Sequence, residues 1–138
     1  MDHSIVQELL KEARAARERA YAPYSNFRVG AALWAGGRSF VGANVENASY
    51  GLTCCAERAA AFAAASAGER RFEVLVVVTA GPEPCPPCGA CLQVLAELGK
   101  DLVVVLAGPR EIHGTYRLDE LLPRAFTWCG PGEGKAAQ

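Results

Sequence analysis

The spacing of apolar and polar positions changes several times along the chain, and each change marks an element. From Ser4 to about Tyr21, Ile5, Val6, Leu9, Leu10, Ala13, Ala16 and Ala20 recur at helical intervals while Lys, Arg and Glu fill the other positions. That pattern predicts an amphipathic helix covering a sheet, and Ser4 with Gln7 has the form of a capping box at its start. Ala22-Pro23-Tyr24-Ser25-Asn26 is turn chemistry. Arg28 to Ala35 and Arg38 to Val45 then read as strands around Gly36-Gly37, a pair that tolerates positive φ at both turn positions, so the strands should be antiparallel neighbours.

Farther on, Phe72 to Ala80 and Leu102 to Ala107 hold the continuous apolar runs Val74-Leu75-Val76-Val77-Val78 and Val103-Val104-Val105-Leu106. Runs of that kind suit strands covered on both faces, typical of parallel pairing. Gly89 to Leu98 lies between them as a crossover helix, Ile112 to Arg117 is a fifth, edge strand, and Leu118 to Leu122 is a short helix stopped by Pro123. Ala56 to about Ala67 breaks the amphipathic rule: after Glu57 and Arg58 it is almost entirely Ala and Phe. A helix without a polar face belongs inside a structure or an assembly, so it is placed across the sheet with its back in a subunit contact and Gly68 as its C′ residue.

These elements predict an α/β fold, a three-layer α/β/α sandwich with a mixed sheet of about five strands. A chain of 138 residues fits one domain, residues 1–129, with a mobile tail over 130–138. Fourteen Lys and Arg against 15 Asp and Glu leave a net charge of -1, and no basic cluster exceeds two residues. Polynucleotide binding needs concentrated positive charge, so no nucleic-acid partner is expected. No segment reaches the ~20 apolar residues of a membrane span, and Glu8, Lys11, Glu12 and Arg14 interrupt the place of an export signal. A cytoplasmic protein with reduced thiols follows.

The chemistry concentrates in Thr53-Cys54-Cys55-Ala56-Glu57-Arg58 and Pro87-Cys88-Gly89-Ala90-Cys91. A cysteine before a glutamate at a helix start, followed by Pro-Cys-x-x-Cys, supplies three sulfur ligands and a carboxylate that need not be one. A structural zinc site closes its tetrahedron with four protein ligands, whereas a hydrolytic one keeps a corner for water and a free acid/base beside it. Pro86 and Pro87 keep the chain between Cys85 and Cys88 extended, so Cys88 and Cys91 are the chelating pair. Spacing alone does not decide between Cys54 and Cys55. Cysteines outside the metal set are expected as small buried hydrophobes, Cys85 and Cys129 among them, and His3 and His113 as surface residues. Three thiolates on Zn²⁺ carry a net negative charge, which the helix starts after Cys55 and Cys88, together with Arg58, would drain. Asn44 and Glu46, two apart at a strand end, should face the same way.

Tyr24-Ser25-x-Phe27, Val29-Gly30-Ala31-Ala32, Asn44-Val45-Glu46-Asn47-Ala48, Cys55-Ala56-Glu57-Arg58, Pro87-Cys88-Gly89-Ala90-Cys91 and Leu121-Leu122-Pro123-x-Ala125-Phe126 stand in the order seen in small cytidine deaminases. The chain resembles that family over roughly residues 5 to 127. The resemblance implies Cys55, Cys88 and Cys91 as ligands of one Zn²⁺ per subunit, and Glu57 as the proton shuttle for hydrolytic deamination of cytidine and 2′-deoxycytidine in pyrimidine salvage. It further implies that Asn44 and Glu46 bind the ribose, that Phe27 lines the base pocket, that Tyr50 belongs to the substrate site, and that the Ala56 N–H donates to the pyrimidine carbonyl. Phe126 would reach a neighbouring subunit's site, giving a homotetramer with shared sites. The family commonly has Arg where this chain has Leu92, which shifts the expected charge compensation onto Arg58. Deamination of another aminopyrimidine nucleoside such as blasticidin S is the nearest alternative activity. A non-enzymatic zinc module or a redox Cys-x-x-Cys domain is the alternative of another class.

Overall fold

Asp2 opens the first helix, α1 (His3–Arg17), its carboxylate accepting from the Ser4 N–H at 2.9 Å and the Ser4 hydroxyl at 2.7 Å. The cap is therefore Asp2 and not the expected Ser4–Gln7 pair: the carboxylate satisfies the free first-turn donor and leaves Ser4 inside the helix. The helix also stops short of Tyr21. Arg19 and Ala20 tighten into bonds to Ala16 and Arg17, and Tyr21 then leaves to bridge Val45. The computed structural model describes residues 2–129; the tail expected to be mobile, 130–138, lies outside the described residues.

The sheet has five strands in the order β2-β1-β3-β4-β5, with β1 at Gly30–Ala35, β2 at Arg38–Ala43, β3 at Phe72–Val78, β4 at Val103–Ala107 and β5 at Ile112–Arg117. β1 and β2 form the anticipated hairpin, with Gly36 and Gly37 at φ 60° and 78°, a conformation that costs a side-chain-bearing residue and not glycine. β3 and β4 pair in parallel, and every other pairing is antiparallel. The parallel pair is joined through α3 (Gly89–Leu98), because parallel strands need a crossover that a tight turn cannot provide.

Alternation along the strands divides the interior between two cores. Leu33, Leu75, Val77, Val104 and Leu106 face α2 (Ala56–Ser66) and α3, while Ala32, Val76, Val78 and Val105 face Val6, Leu9, Leu10 and Ala13 of α1. Both faces of β3 are thus covered, which is why its sequence is apolar without interruption. Leu92, in the first core, is 6% exposed, so it serves packing. A last short helix, α4 (Leu118–Leu121), ends before Pro123 as its sequence predicts.

Two contacts set the position of the α2 start. A Cβ on Gly42 would lie 2.4 Å from the Ala56 carbonyl oxygen and 2.5 Å from the Ala60 nitrogen, so α2 rests directly on the β2 backbone. Beyond β2, Val45 exchanges backbone hydrogen bonds with Cys54 at 3.0 Å in each direction, while Asn44 and Glu46 bond Tyr21. The segment carrying Asn44 and Glu46 is therefore fixed to the residues that enter α2.

Candidate active site

Two helix starts and one first turn converge at the end of the sheet. Cys55 is the N-cap of α2 and Cys88 the N-cap of α3, and Cys91 lies in the first turn of α3. The three sulfurs lie within 4.8 Å of one another. Cys88 and Cys91 are 3.5 Å apart, and the Cys91 N–H points back at the Cys88 sulfur at 3.5 Å, as Gly89 and Ala90 permit and prolines would not. Cys54, left open by spacing, stands outside the group; its thiol donates to the Cys55 carbonyl, and burial pushes its pKa up.

The hydrogen bond from Cys91 chiefly, with the nearby Arg58 guanidinium adding to it, lowers the Cys55 thiol to about 5 against the opposing effect of burial. Cys91 is pushed up by that same hydrogen bond and by its own burial. Arg58 places Nη2 3.6 Å from the Cys55 sulfur and 3.4 Å from the Thr53 carbonyl. Three convergent soft donors, with no disulfide among the described cysteines, fit a zinc ion.

Glu57 follows Cys55 by two residues and is 6% exposed. Burial, reinforced by the Cys55 charge and opposed by Arg58, pushes its carboxyl up to about 7. The carboxylate is not part of the sulfur group; it lines a cavity of about 310 Å³ with Cys55 and Cys88. A buried carboxyl poised near neutrality beside a three-donor metal site is equipped to take and return a proton. Phe27, Asn44, Glu46 and Ala56 line the same cavity, and Ala56, the first residue of α2, has no acceptor in its own helix for its N–H.

Residues 3–107 match the family model described as the cytidine and deoxycytidylate deaminase zinc-binding region. A cytidine deaminase of Halalkalibacterium halodurans is 53% identical over 123 residues, 88% of this chain and 93% of that protein. The chain belongs to the cytidine and deoxycytidylate deaminase family. Crystal structures of family members show the same fold. The cytidine deaminase from Burkholderia pseudomallei superposes with a TM-score of 0.84 at 52% identity, covering 91% of this chain and all of that one. The enzyme from Mycobacterium tuberculosis gives 0.76 at 42%, covering 89% and 98%.

Against the roles that the family resemblance implies, the structure distributes the remaining residues in three ways. Asn44 and Glu46 face the cavity together, and both also brace its wall. Asn44 Oδ1 accepts from the Val29 N–H at 2.9 Å and its Nδ2 donates to the Phe27 carbonyl at 2.7 Å. Glu46 accepts from the Tyr24 and Ser25 amides at 2.9 and 3.1 Å and from the Ser25 hydroxyl, which holds its carboxyl below the usual range. Tyr50 stands beside this cavity, in a recess with Tyr24, Ser25, Glu46 and Thr53, its ring edge-on to Tyr24 at 5.7 Å. Phe126 does not line this chain's cavity; it is 70% exposed, its backbone clamped by the Gln93 amide at 2.9 and 3.2 Å.

Two cysteines depart from the expectation of burial. Cys85 and Cys129 are both exposed, because the prolines around Cys85 hold the loop before α3 extended and Cys129 lies beyond the last helix. Cys85 lines the cavity, as do Ser25, Thr53 and Thr79, to none of which the sequence assigns a role. Thr79 had one available signal, a polar residue closing an apolar β-branched run.

Proposed function

We propose that the chain is a zinc-dependent hydrolase that deaminates cytidine and 2′-deoxycytidine to the corresponding uridines and ammonia. The observation that carries this reading is the buried Glu57 carboxyl, held near neutrality in the same cavity as two of the three convergent sulfurs. Cys55, Cys88 and Cys91 would hold one Zn²⁺ per chain, which when bound supplies the Lewis acidity that makes a water molecule nucleophilic near neutral pH.

Glu57 takes one proton of the attacking water at its carboxylate and delivers it to N3 as the C4–O bond forms; it then takes the remaining proton from the new C4 hydroxyl and passes it to the amine, so that the C4–N bond breaks and ammonia leaves a C4 carbonyl. Arg58 offsets the sulfur charge in the absence of any help from Leu92. Phe27 flanks the base, the Ala56 N–H donates to the pyrimidine carbonyl, and the free lone pairs of Glu46 with the second N–H of Asn44 hold the ribose. Residues 1–129 act as one domain in the cytoplasm, as a homotetramer in which Phe126 reaches a neighbouring subunit's site, while Tyr50 belongs to the substrate site. The exposure of Tyr50, Leu52, Phe62, Phe126 and Trp128 supports such an assembly.

The test is loss of ultraviolet absorbance when purified protein meets cytidine, 2′-deoxycytidine, free cytosine or blasticidin S. Turnover of the first two and not of the others is expected. Turnover of blasticidin S alone would replace the substrate assignment, and no turnover of any would end it.

A further inference from the structure

Asn44, Glu57 and Thr79 are the buried polar side chains among the described residues, at 8%, 6% and 4% exposure, and all three line one cavity. Asn44 is engaged by the backbone of Phe27 and Val29, and Glu57 is the proton carrier. The hydroxyl of Thr79 has neither a role nor a hydrogen-bond partner among the described residues. Its backbone is pinned, the N–H donating to the Ala107 carbonyl at 3.0 Å, so the side chain presents itself from a rigid position.

Thr79 Oγ1 is not among the fully buried, unpartnered side-chain atoms of the described residues, so the hydroxyl opens onto the cavity it lines and is free to bond a ligand there. Leu75 and Val77, which precede it on the same face of β3, are apolar, and Val77 lines the cavity beside it. A ligand in the cavity accounts for a hydroxyl where the fold alone favours a methyl group.

The sheet register says which end of a ligand Thr79 meets. Gly30 on β1 pairs with Ala43 on β2 and with Val78 on β3, so Asn44 and Thr79 lie in the next row, on opposite sides of Val29. Two strand spacings separate them, roughly 9.5 Å between backbones. Asn44 and Glu46 mark the ribose end. Thr79 opens the loop that leads to Cys85 and Cys88 and marks the other end, where the base reacts.

We propose that the Thr79 hydroxyl hydrogen-bonds the polar edge of the pyrimidine ring and is a specificity-determining contact for the base. This rests on the nucleoside reading above. The zinc-loaded full chain is compared with Thr79→Val, which removes the hydroxyl at constant shape, and Thr79→Ser, which keeps it. Thr79→Val should lower kcat/KM for cytidine and for 2′-deoxycytidine by the same factor, roughly 10- to 100-fold. It should weaken uridine binding in parallel, with zinc content and thermal midpoint unchanged, while Thr79→Ser stays within about threefold of the parent on the same scale.

A Thr79→Val enzyme within twofold of an active parent, on the same scale, would overturn the assignment and leave the nucleoside reading intact. A loss confined to cytidine would place the contact on the sugar and also overturn it. A parent that turns over neither nucleoside would sink both. Should Thr79→Val not fold, Thr79→Ala removes the hydroxyl without adding bulk and is judged by the same criteria.

Discussion

Replacing Glu57 with Gln should move stability and activity in opposite directions. The carboxyl ordinarily ionises near 4.5 and is held at about 7, chiefly by burial. Between those values the metal-free folded chain keeps a proton that the unfolded chain has released, so stability falls as pH rises through that window and the loss is complete above it. The difference corresponds to about 3 kcal/mol against the folded state at pH 8. Gln has the same shape and no charge. Metal-free Glu57→Gln should therefore be more stable than metal-free parent at pH 8 by up to about 3 kcal/mol, with the advantage gone near pH 4. Urea unfolding of both proteins at the two pH values measures this. In the zinc-loaded forms, Glu57→Gln should lose at least about 100-fold in kcat, because amide nitrogen and oxygen cannot cycle the proton. A variant less stable than the parent at pH 8, or one that keeps its turnover, refutes the assignment of a buried, working carboxyl.

Arg58→Gln removes the cation 3.6 Å from the Cys55 sulfur, and with Leu92 buried in the core no other charge replaces it; the pH dependence of turnover should shift, and an unchanged profile contradicts the compensation. Gly42→Ala forces a methyl into the 2.4 Å gap below the Ala56 carbonyl, so it should cost about 1–3 kcal/mol in denaturant unfolding and lower kcat by displacing the α2 start. Iodoacetamide should alkylate Cys85 from the cavity side and inhibit turnover, with uridine protecting; Cys85→Ser should resist. Mixed refolding of Glu57→Gln with Phe126→Ala should recover more activity than either variant alone where sites are shared, and no more where they are not.

What was legible in the sequence depended on the range of the interaction involved. The elements follow local periodicity, and the continuous Val runs announced parallel, doubly covered strands because alternate residues serve two different cores. The convergence of Cys88 and Cys91 was legible because the two share one helix turn, whereas the choice of Cys55 over Cys54 came from the family resemblance, since local spacing leaves both open. Asp2 displaced the expected cap because a carboxylate just outside a helix satisfies its first-turn amides regardless of the Ser-x-x-Gln pattern. Thr79 and Cys85 stayed silent because cavity membership is a property of the assembled sheet end, set by the register of β1 against β2 and β3 and by the close approach of α2 to Gly42. Phe126 illustrates a further limit, since it does not line its own chain's cavity and is 70% exposed.

Zinc-edge X-ray absorption on the loaded protein distinguishes an open metal site from a closed one. Three sulfur scatterers at about 2.3 Å and one lighter donor nearer about 2.0 Å are expected, a shell that Glu57→Gln leaves unchanged. Four sulfurs, or a lighter donor that vanishes with Glu57, would mean a closed site with no place for water.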